Sequence, residues 1–382
     1  MSEIRVNTLG NESNTGGPVL SGITTFSGQQ YFIPPTGTTA ERPSGCPPGS
    51  IRFNTDSAHL EYWNGLVWLE FEASSEELGN HLVTNSAGGT GVRGLFGGGA
   101  APDGSKLNTI DYISISTLGN AQDFGDIQTR SSPSTCSSST RGLFGGGIST
   151  PSPVTWVNII DFVTIASTGN SQDFGDLTQA RDIFAACSSS TRGVFGGGRT
   201  SPTAKVDVID FVTIASTGNA VDFGNLIATI LSISACSSSV RGVWAGGGTV
   251  NTIQYVTITS TGKAEYFGEL TVAKEGPSAC SSSTRGIFAG GDTPTKINII
   301  DFITIATTGN GQDFGDLTQA RTFFGSGCAS PTRAVFGGGY TPTSVNTIDF
   351  ITIATTGNAL EFGDLTIVAH GHSGLSNGHG GL

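Results

Sequence analysis

The stretch Arg93-Gly94-Leu95-Phe96-Gly97-Gly98-Gly99 decides the fold, because the chain repeats it six times with small variations. Each copy has an arginine, a small residue, an aliphatic residue, an aromatic residue and a glycine run, which in two copies follows an alanine. A repeat of about 50 residues is one supersecondary unit copied along the chain, so its recurring residues are expected to build the scaffold. The copies begin 44 to 51 residues apart, at Arg93, Arg141, Arg192, Arg241, Arg285 and Arg333.

Two further marks follow each arginine in a fixed order. An Ile-Asp-aromatic step, such as Ile160-Asp161-Phe162, comes 13 to 20 residues after the arginine, and Gln254 replaces its aspartate in one unit. A step such as Asp173-Phe174-Gly175 begins 12 residues after that aspartate in every unit. We expect the repeated arginines to pair with the repeated aspartates, which are Asp111, Asp161, Asp210, Asp301 and Asp349.

The repeat predicts an all-β chain. Stretches such as Asn158–Ile165 are rich in β-branched and aromatic residues and predict strands, and Thr168-Gly169-Asn170 predicts a tight turn. The segment between the glycines and the Ile-Asp step varies most in length and is rich in Pro, Gly, Ser and Thr, which predicts a loop. No stretch has a helical period. Four strands per unit in six units predict a six-bladed β-propeller over residues 82–382.

The blades resemble those of Kelch-type propellers. Gly197-Gly198 matches the glycine pair that ends the second Kelch strand, and Phe162 matches the third-strand aromatic, whereas Phe174 stands where Kelch blades usually have Trp. The resemblance raises the prospect of a copper oxidase site, which needs His and Tyr ligands at the axis. The chain has five histidines and none lies in the first five blades, so we expect no enzyme activity, no cofactor and no metal.

The N-terminal residues predict a small β-meander. Residues 50–71 contain a strand with Arg52-Phe53-Asn54, and Asn64-Gly65 predicts a hairpin between aromatic strands. This meander resembles a module of phage tail fibres, and the residue pattern of the blades resembles virion proteins of tailed phages of marine cyanobacteria. The resemblance implies a virion protein assembled in the host cytoplasm, with an attachment unit at 1–72 that binds other virion proteins, a linker at 73–81, and a homotrimer.

Composition excludes several classes of function. The net charge of −12 and the lack of basic clusters argue against nucleic-acid binding. No run approaches the roughly 20 apolar residues that span a bilayer, and the start of the chain has no apolar signal core. Five cysteines lie five residues before a repeated arginine, and we expect them to be buried free thiols: Cys136, Cys187, Cys236, Cys280 and Cys328.

Other motifs have structural interpretations. The Asp-Phe-Gly steps and glycine runs lack the flanking residues of kinase or phosphate-binding loops, so we interpret them as scaffold. His370 and His372, followed by His379, could encircle an ion in a trimer, but a solvated tail is the preferred interpretation. Two segments compete to supply the first strand of the first blade, Ser86–Gly91 and Ser373–Gly378, and we favour the former.

The variable loops are the expected recognition surface, because they change while the scaffold repeats. Trp156, Arg199 and Tyr340 are the candidate receptor-binding residues, since aromatic and guanidinium groups suit sugar faces and protein hot spots. The sequence thus predicts a tail fibre or appendage that binds a host-surface glycan or protein. A capsid decoration or adaptor protein with a purely structural role and a non-viral carbohydrate-binding propeller remain alternatives.

Overall fold

Glycine-rich turns and β-branched runs make this chain a series of short strands. The computed structural model describes residues 34–57, 59–70, 92–149, 155–323 and 327–382, and this part contains no α-helix. The chain divides into two units, Met1–Glu77 and Leu78–Leu382. The division falls within the predicted linker 73–81, which lies outside the described residues, as do residues 1–33 of the predicted attachment unit.

The first unit contains one four-stranded sheet in the order β1-β2-β3-β4. The β1 strand is parallel to β2, and the remaining pairs are antiparallel. The predicted Asn64-Gly65 hairpin is confirmed between β3 and β4: Gly65 has a φ of 99°, and the Asn64 Oδ1 accepts bonds from the amides of Leu66 and Val67. The elements are β1 Thr36–Gly37, a 3-10 turn Thr39–Glu41, β2 Ile51–Asn54, β3 His59–Trp63 and β4 Trp68–Glu70.

The second unit contains six four-stranded antiparallel sheets, called here sheets I to VI, which confirms four strands per repeat. Sheet I comprises β33 Ser373–Ser376, β5 Arg93–Gly97, β6 Thr109–Ser114 and β7 Gln122–Asp126. Sheet II comprises β9 Ser134–Ser137, β10 Arg141–Gly145, β13 Ile159–Thr164 and β14 Gln172–Asp176. Sheet III comprises β15 Ala185–Ser188, β16 Arg192–Gly196, β17 Val208–Thr213 and β18 Val221–Asn225.

Sheets IV to VI have the same strand order. Sheet IV comprises β19 Ser234–Ser237, β20 Arg241–Ala245, β21 Thr252–Thr257 and β22 Glu265–Glu269. Sheet V comprises β23 Ser278–Ser281, β24 Arg285–Ala289, β27 Ile299–Thr304 and β28 Gln312–Asp316. Sheet VI comprises β29 Gly327–Ala329, β30 Arg333–Gly337, β31 Val345–Thr352 and β32 Leu360–Ala369. Short strands outside these sheets are β8 Arg130–Ser131, β11 Ile148–Ser149, β12 Thr155–Trp156, β25 Asp292–Thr293 and β26 Thr295–Lys296.

The Asp-Phe-Gly steps are fixed by packing between sheets. In sheet II the Phe174 carbonyl accepts a bond of 2.7 Å from the amide of Gly218, in the turn before the fourth strand of sheet III. A Cβ on Gly175 would lie 2.5 Å from the Gly218 carbonyl oxygen, and the φ of Gly175 is 144°. Only glycine allows this approach of two backbones, which gives the step a purely structural reason.

The apolar core lies between consecutive sheets. One cluster joins Cys136 and Phe174 of sheet II to Phe195 and Val212 of sheet III. A Cβ on Gly193 of sheet III would lie 2.5 Å from the Cys136 Sγ, so the thiol fills the space above that glycine. The predicted buried free thiols are confirmed at all five repeat positions. Burial raises the pKa of each of these thiols, which keeps them neutral.

The first strands of the six sheets contact one another in cyclic order. Contacts run from β9 to β15, β19, β23, β29 and β33, and from β33 back to β9. Each of these strands supplies a serine hydroxyl to a carbonyl of its neighbour, except where Ala329 replaces the serine. The bonds measure 2.5–2.8 Å and run from Ser188 to Ser137, Ser237 to Ser188, Ser281 to Ser237, Ser137 to Ser376 and Ser376 to Ala329.

The strand that completes sheet I comes from the end of the chain, so the prediction that favoured Ser86–Gly91 is wrong. Strand β33 pairs with β5 along its whole length, from Ser373 opposite Gly97 to Ser376 opposite Gly94. Leu375 fills the space above Gly142 that cysteines fill between other sheets. The competing segment, which lies outside the described residues, has Gly88 at that position and would leave the space empty.

Candidate functional site

The variable loops and the connections between sheets lie side by side in the second unit, and together they form a surface called here the loop face. The loop after each second strand pairs with the connection that leads into the first strand of the same sheet, as Arg199 pairs with Asp182. The same pairing joins Ala100 to His370, Ile148 to Ser131, Asp292 to Glu275 and Tyr340 to Thr322. Residues 150–154 of one loop lie outside the described residues.

Trp156 and Arg199 meet on the loop face through a shared carboxylate. The Trp156 Nε1 donates to the Asp182 Oδ1 at 2.8 Å. The Arg199 guanidinium binds both oxygens of the same carboxylate, at 3.0 and 3.2 Å. Asp182 is fully buried, whereas the Arg199 side chain remains 26% exposed. A buried, doubly bonded carboxylate fixes the guanidinium and indole in place while leaving part of each group at the surface.

Tyr340 belongs to a different cluster of the loop face. The Lys296 ammonium lies 5.3 Å from the centre of the Tyr340 ring, and the centres of the His370 and Tyr340 rings lie 5.5 Å apart in an edge-to-face arrangement. Lys296 also forms an ion pair with Asp292 at 3.0 Å. Burial and the charge of Lys106 lower the pKa of His370, so its imidazole is neutral at pH 7. The structure thus brings Trp156 and Arg199 together and places Tyr340 in a separate cluster with Lys296 and His370.

The repeated arginines do not pair with the repeated aspartates, and that expectation is wrong. Each Nη1 donates instead to two successive carbonyls at the end of the third strand of the next sheet, because the guanidinium lies over the aromatic residue of its own third strand. Arg93 reaches Ile165 and Ala166, at 3.0 and 2.9 Å. The other five do the same, from Arg141 to Ile214, Arg192 to Ile258, Arg241 to Ile305, Arg285 to Ile353 and Arg333 to Ile115.

Four of the five repeated aspartates pair with a second set of basic residues. These residues lie in the connection before the first strand, and their charged groups reach the third strand of their own sheet. The carboxylate also accepts bonds from a residue of the same connection, as Asp210 does from Thr178 Oγ1 at 2.6 Å. Both partners of each ion pair are buried, and the pairs are Arg130–Asp161, Arg181–Asp210, Lys274–Asp301 and Arg321–Asp349.

A signal for this second set was present in the sequence and was missed. A basic residue stands 11 or 12 residues before four of the repeated arginines. In the unit where Gln254 replaces the aspartate, Ile230 stands at the basic position, so both charges are missing together. Joint loss of two opposite charges is what a buried ion pair requires, because either charge alone would be left without compensation.

The histidines of the final segment are not part of a solvated tail, which corrects that interpretation. His372 is 2% exposed, and its Nε2 donates to the Gly337 carbonyl at 2.9 Å. The His379 Nε2 donates to the Ser137 carbonyl at 3.0 Å, and the Gly380 amide donates to the Ser281 carbonyl at 2.9 Å. Residues 379–380 therefore bind carbonyls of the first strands of sheets II and V, beside a cavity of about 60 Å³ that the first strands line.

The described residues hold no group of three or more His, Cys, Asp or Glu side chains that could bind a metal ion. Within the same part of the chain, no helix is long and apolar enough to cross a membrane. Comparisons with protein-family models and with curated protein sequences find no match to this chain.

Proposed function

We propose that the six sheets are the blades of a Kelch-like propeller, and that the chain is a phage tail-fibre or appendage protein whose loop face binds the host surface. Two observations support the propeller. The first strands contact one another in cyclic order, and the Arg333 guanidinium of sheet VI bonds to sheet I in the way that the other arginines bond to the next sheet. The phage origin rests on the sequence resemblance, as do the attachment role of residues 1–72, the homotrimer and assembly in the host cytoplasm.

One observation carries the binding role: Trp156 and Arg199 are held at the surface by the buried Asp182. Aromatic and guanidinium side chains are enriched at binding hot spots. Because these two are already held in place, they lose little side-chain entropy when a ligand binds. An indole face packs on the apolar face of a sugar ring, and a guanidinium binds hydroxyl or carboxylate oxygens. A surface glycan or an acidic protein surface is therefore the proposed receptor class, and no catalytic step is proposed.

The test measures binding of the labelled full chain to a panel of marine cyanobacterial strains. Trp156→Ala with Tyr340→Ala should reduce cell binding at least about tenfold, as expected for the loss of hot-spot aromatics. This pair leaves Arg199 in place to compensate Asp182. Val240→Ser is the matched control, since Val240 is 56% exposed in a turn between first and second strands, away from the loop face. Unchanged binding by a folded Trp156/Tyr340 variant would overturn the assignment of the loop face.

A capsid decoration or adaptor protein is separated from a fibre by location. Gold-labelled antibody against the chain should mark the tails of phage particles if the proposal holds. Label on the capsid would favour the purely structural role.

A further inference from the structure

Sheet I departs from its neighbours in the space beside its repeated aspartate. In sheets II, III, V and VI this space contains a guanidinium or an ammonium group four to six residues before the first strand. Sheet IV has Ile230 and Gln254, so it lacks both charges. Sheet I keeps the carboxylate of Asp111 but has Ala369, four residues before β33, at the basic position. Among the six sheets, only sheet I has the carboxylate without a basic partner.

The space left by Ala369 is a cavity of about 20 Å³. Its lining includes Phe96, Gly98, Thr109 and Asp111. These residues correspond, position by position, to the four that bind the guanidinium in sheet III. There Arg181 donates to the carbonyls of Phe195, Gly197 and Val208 and to the carboxylate of Asp210, at 2.8–3.2 Å. The cavity of sheet I therefore keeps the equivalent carbonyl groups and carboxylate that accept bonds from Arg181 in sheet III, but it has no cationic side chain.

Two side chains that line the cavity are hydrogen-bond acceptors. Asp111 is 5% exposed, and its oxygens accept bonds from Thr366 Oγ1 and the Thr366 amide, at 2.5 and 2.8 Å. No salt bridge to Asp111 is found among the described residues. His372 donates its Nε2 proton to Gly337, so its Nδ1 is an acceptor, and this buried atom has no hydrogen-bond partner. Burial raises the pKa of Asp111, an electrostatic cost that a bound cation would offset.

We propose that the Asp111 cavity binds an ammonium group. A ligand that faces a carboxylate, a neutral imidazole nitrogen and backbone carbonyls must be a hydrogen-bond donor, and a positive charge on it would also compensate the carboxylate. A cavity of this volume holds about one water-sized group, which fits an ammonium head and is small for a guanidinium. Lys274 of sheet V provides the precedent, because its Nζ lies 2.8 Å from Asp301 and 3.2 Å from the carbonyls of Phe288 and Ile299. The group comes either from a free small amine or from a lysine side chain of another protein.

Thermal unfolding of the full chain tests the site. Ammonium or methylammonium chloride should raise the unfolding midpoint by about 2 °C or more over sodium chloride at equal ionic strength, because a ligand of the folded state stabilises it. Tetramethylammonium, which has the charge but no N–H donor, should match sodium. Stabilisation by butylammonium as well identifies a site open to a lysine side chain, and stabilisation by the two smaller cations alone identifies a free-amine site.

Two variants make the test independent of folding defects. Asp111→Asn should lose the response to methylammonium. Ala369→Lys should raise the midpoint without added amine and should also lose the response, because it supplies the ammonium that Lys274 supplies in sheet V. The proposal is overturned if methylammonium and sodium give the same midpoint for the unmodified chain, or if Ala369→Lys keeps the full response. Neither variant changes Trp156, Arg199 or Tyr340, so the proposed host binding is tested separately.

Discussion

Asp210 shows how single residues set the stability of this fold. Its carboxylate and the Arg181 guanidinium are both fully buried and lie 2.9 Å apart. Removal of one partner from such a pair costs about 3–5 kcal/mol, because the other charge remains buried without compensation. Replacement of both partners by uncharged residues of similar size is far cheaper, and sheet IV already has such a replacement in Ile230 and Gln254, where the Gln254 Oε1 accepts a bond of 2.7 Å from the Ile227 amide.

Arg181→Ile should therefore destabilise the chain by about 3–5 kcal/mol. The double variant Arg181→Ile with Asp210→Gln should recover at least about half of that loss, because it copies the uncharged pair of sheet IV. Urea denaturation of both variants and the unmodified chain measures the two free energies of unfolding. A double variant that is no more stable than the single one would contradict the role assigned to the pair.

Strand β33 is the element that completes sheet I. Leu375 is 4% exposed and packs above Gly142, and its strand pairs with β5 along its whole length. Leu375→Asp should lower the free energy of unfolding by more than about 3 kcal/mol, since it buries a charge without a partner. Leu375→Cys is the matched control and should cost about 1–2 kcal/mol, because a cysteine fills this position in the other five sheets. Equal losses measured by urea denaturation would show that the closing strand does not need an apolar residue there.

The elements themselves were readable from the sequence, because each strand and turn depends on its own residues. The β-branched run at 159–164, the glycine pair at 197–198 and the Asn64-Gly65 turn form where they were predicted. The choice between two closing segments was not readable in this way. Spacing to the repeated arginine allowed both, and the decision lies in the contact of Leu375 with Gly142, which are more than 230 residues apart. The pairing of the aspartates was missed for a different reason, because two sets of basic residues repeat with nearly the same period.

At the scale of the whole molecule, the arginine bonds join each sheet to the next. Arg192 bonds to sheet IV and Arg333 bonds to sheet I, both through Nη1 and two carbonyls at 3.0–3.1 Å. If the six sheets form a closed ring, the two bonds are equivalent, although Arg333 joins the two ends of the repeat region. Arg192→Ala and Arg333→Ala should then cost about the same, roughly 1–3 kcal/mol each for two charge-assisted bonds.

Urea denaturation followed by two probes tests this equivalence, with circular dichroism reporting on all sheets and fluorescence on the four tryptophans, of which Trp244 lies in sheet IV. Both variants should unfold in one transition, coincident by both probes. A negligible cost for Arg333→Ala beside a large cost for Arg192→Ala would indicate an open row of sheets and would remove the propeller from the proposal.

The pairing of β33 with β5 also has a consequence for biosynthesis. The Arg93 amide bonds to Asn377, a residue 284 positions later in the chain. A ribosome that adds about 5–20 residues per second needs roughly 15–60 s to cover that distance. Throughout this interval the β5 edge of the nascent chain has no partner strand, and an unpaired edge is a template for any strand that reaches it. Ribosomes further along the same messenger RNA carry copies of β33, so closely spaced ribosomes favour exchange of this strand between chains. Slow initiation spaces the ribosomes widely and favours pairing of β33 with β5 of its own chain.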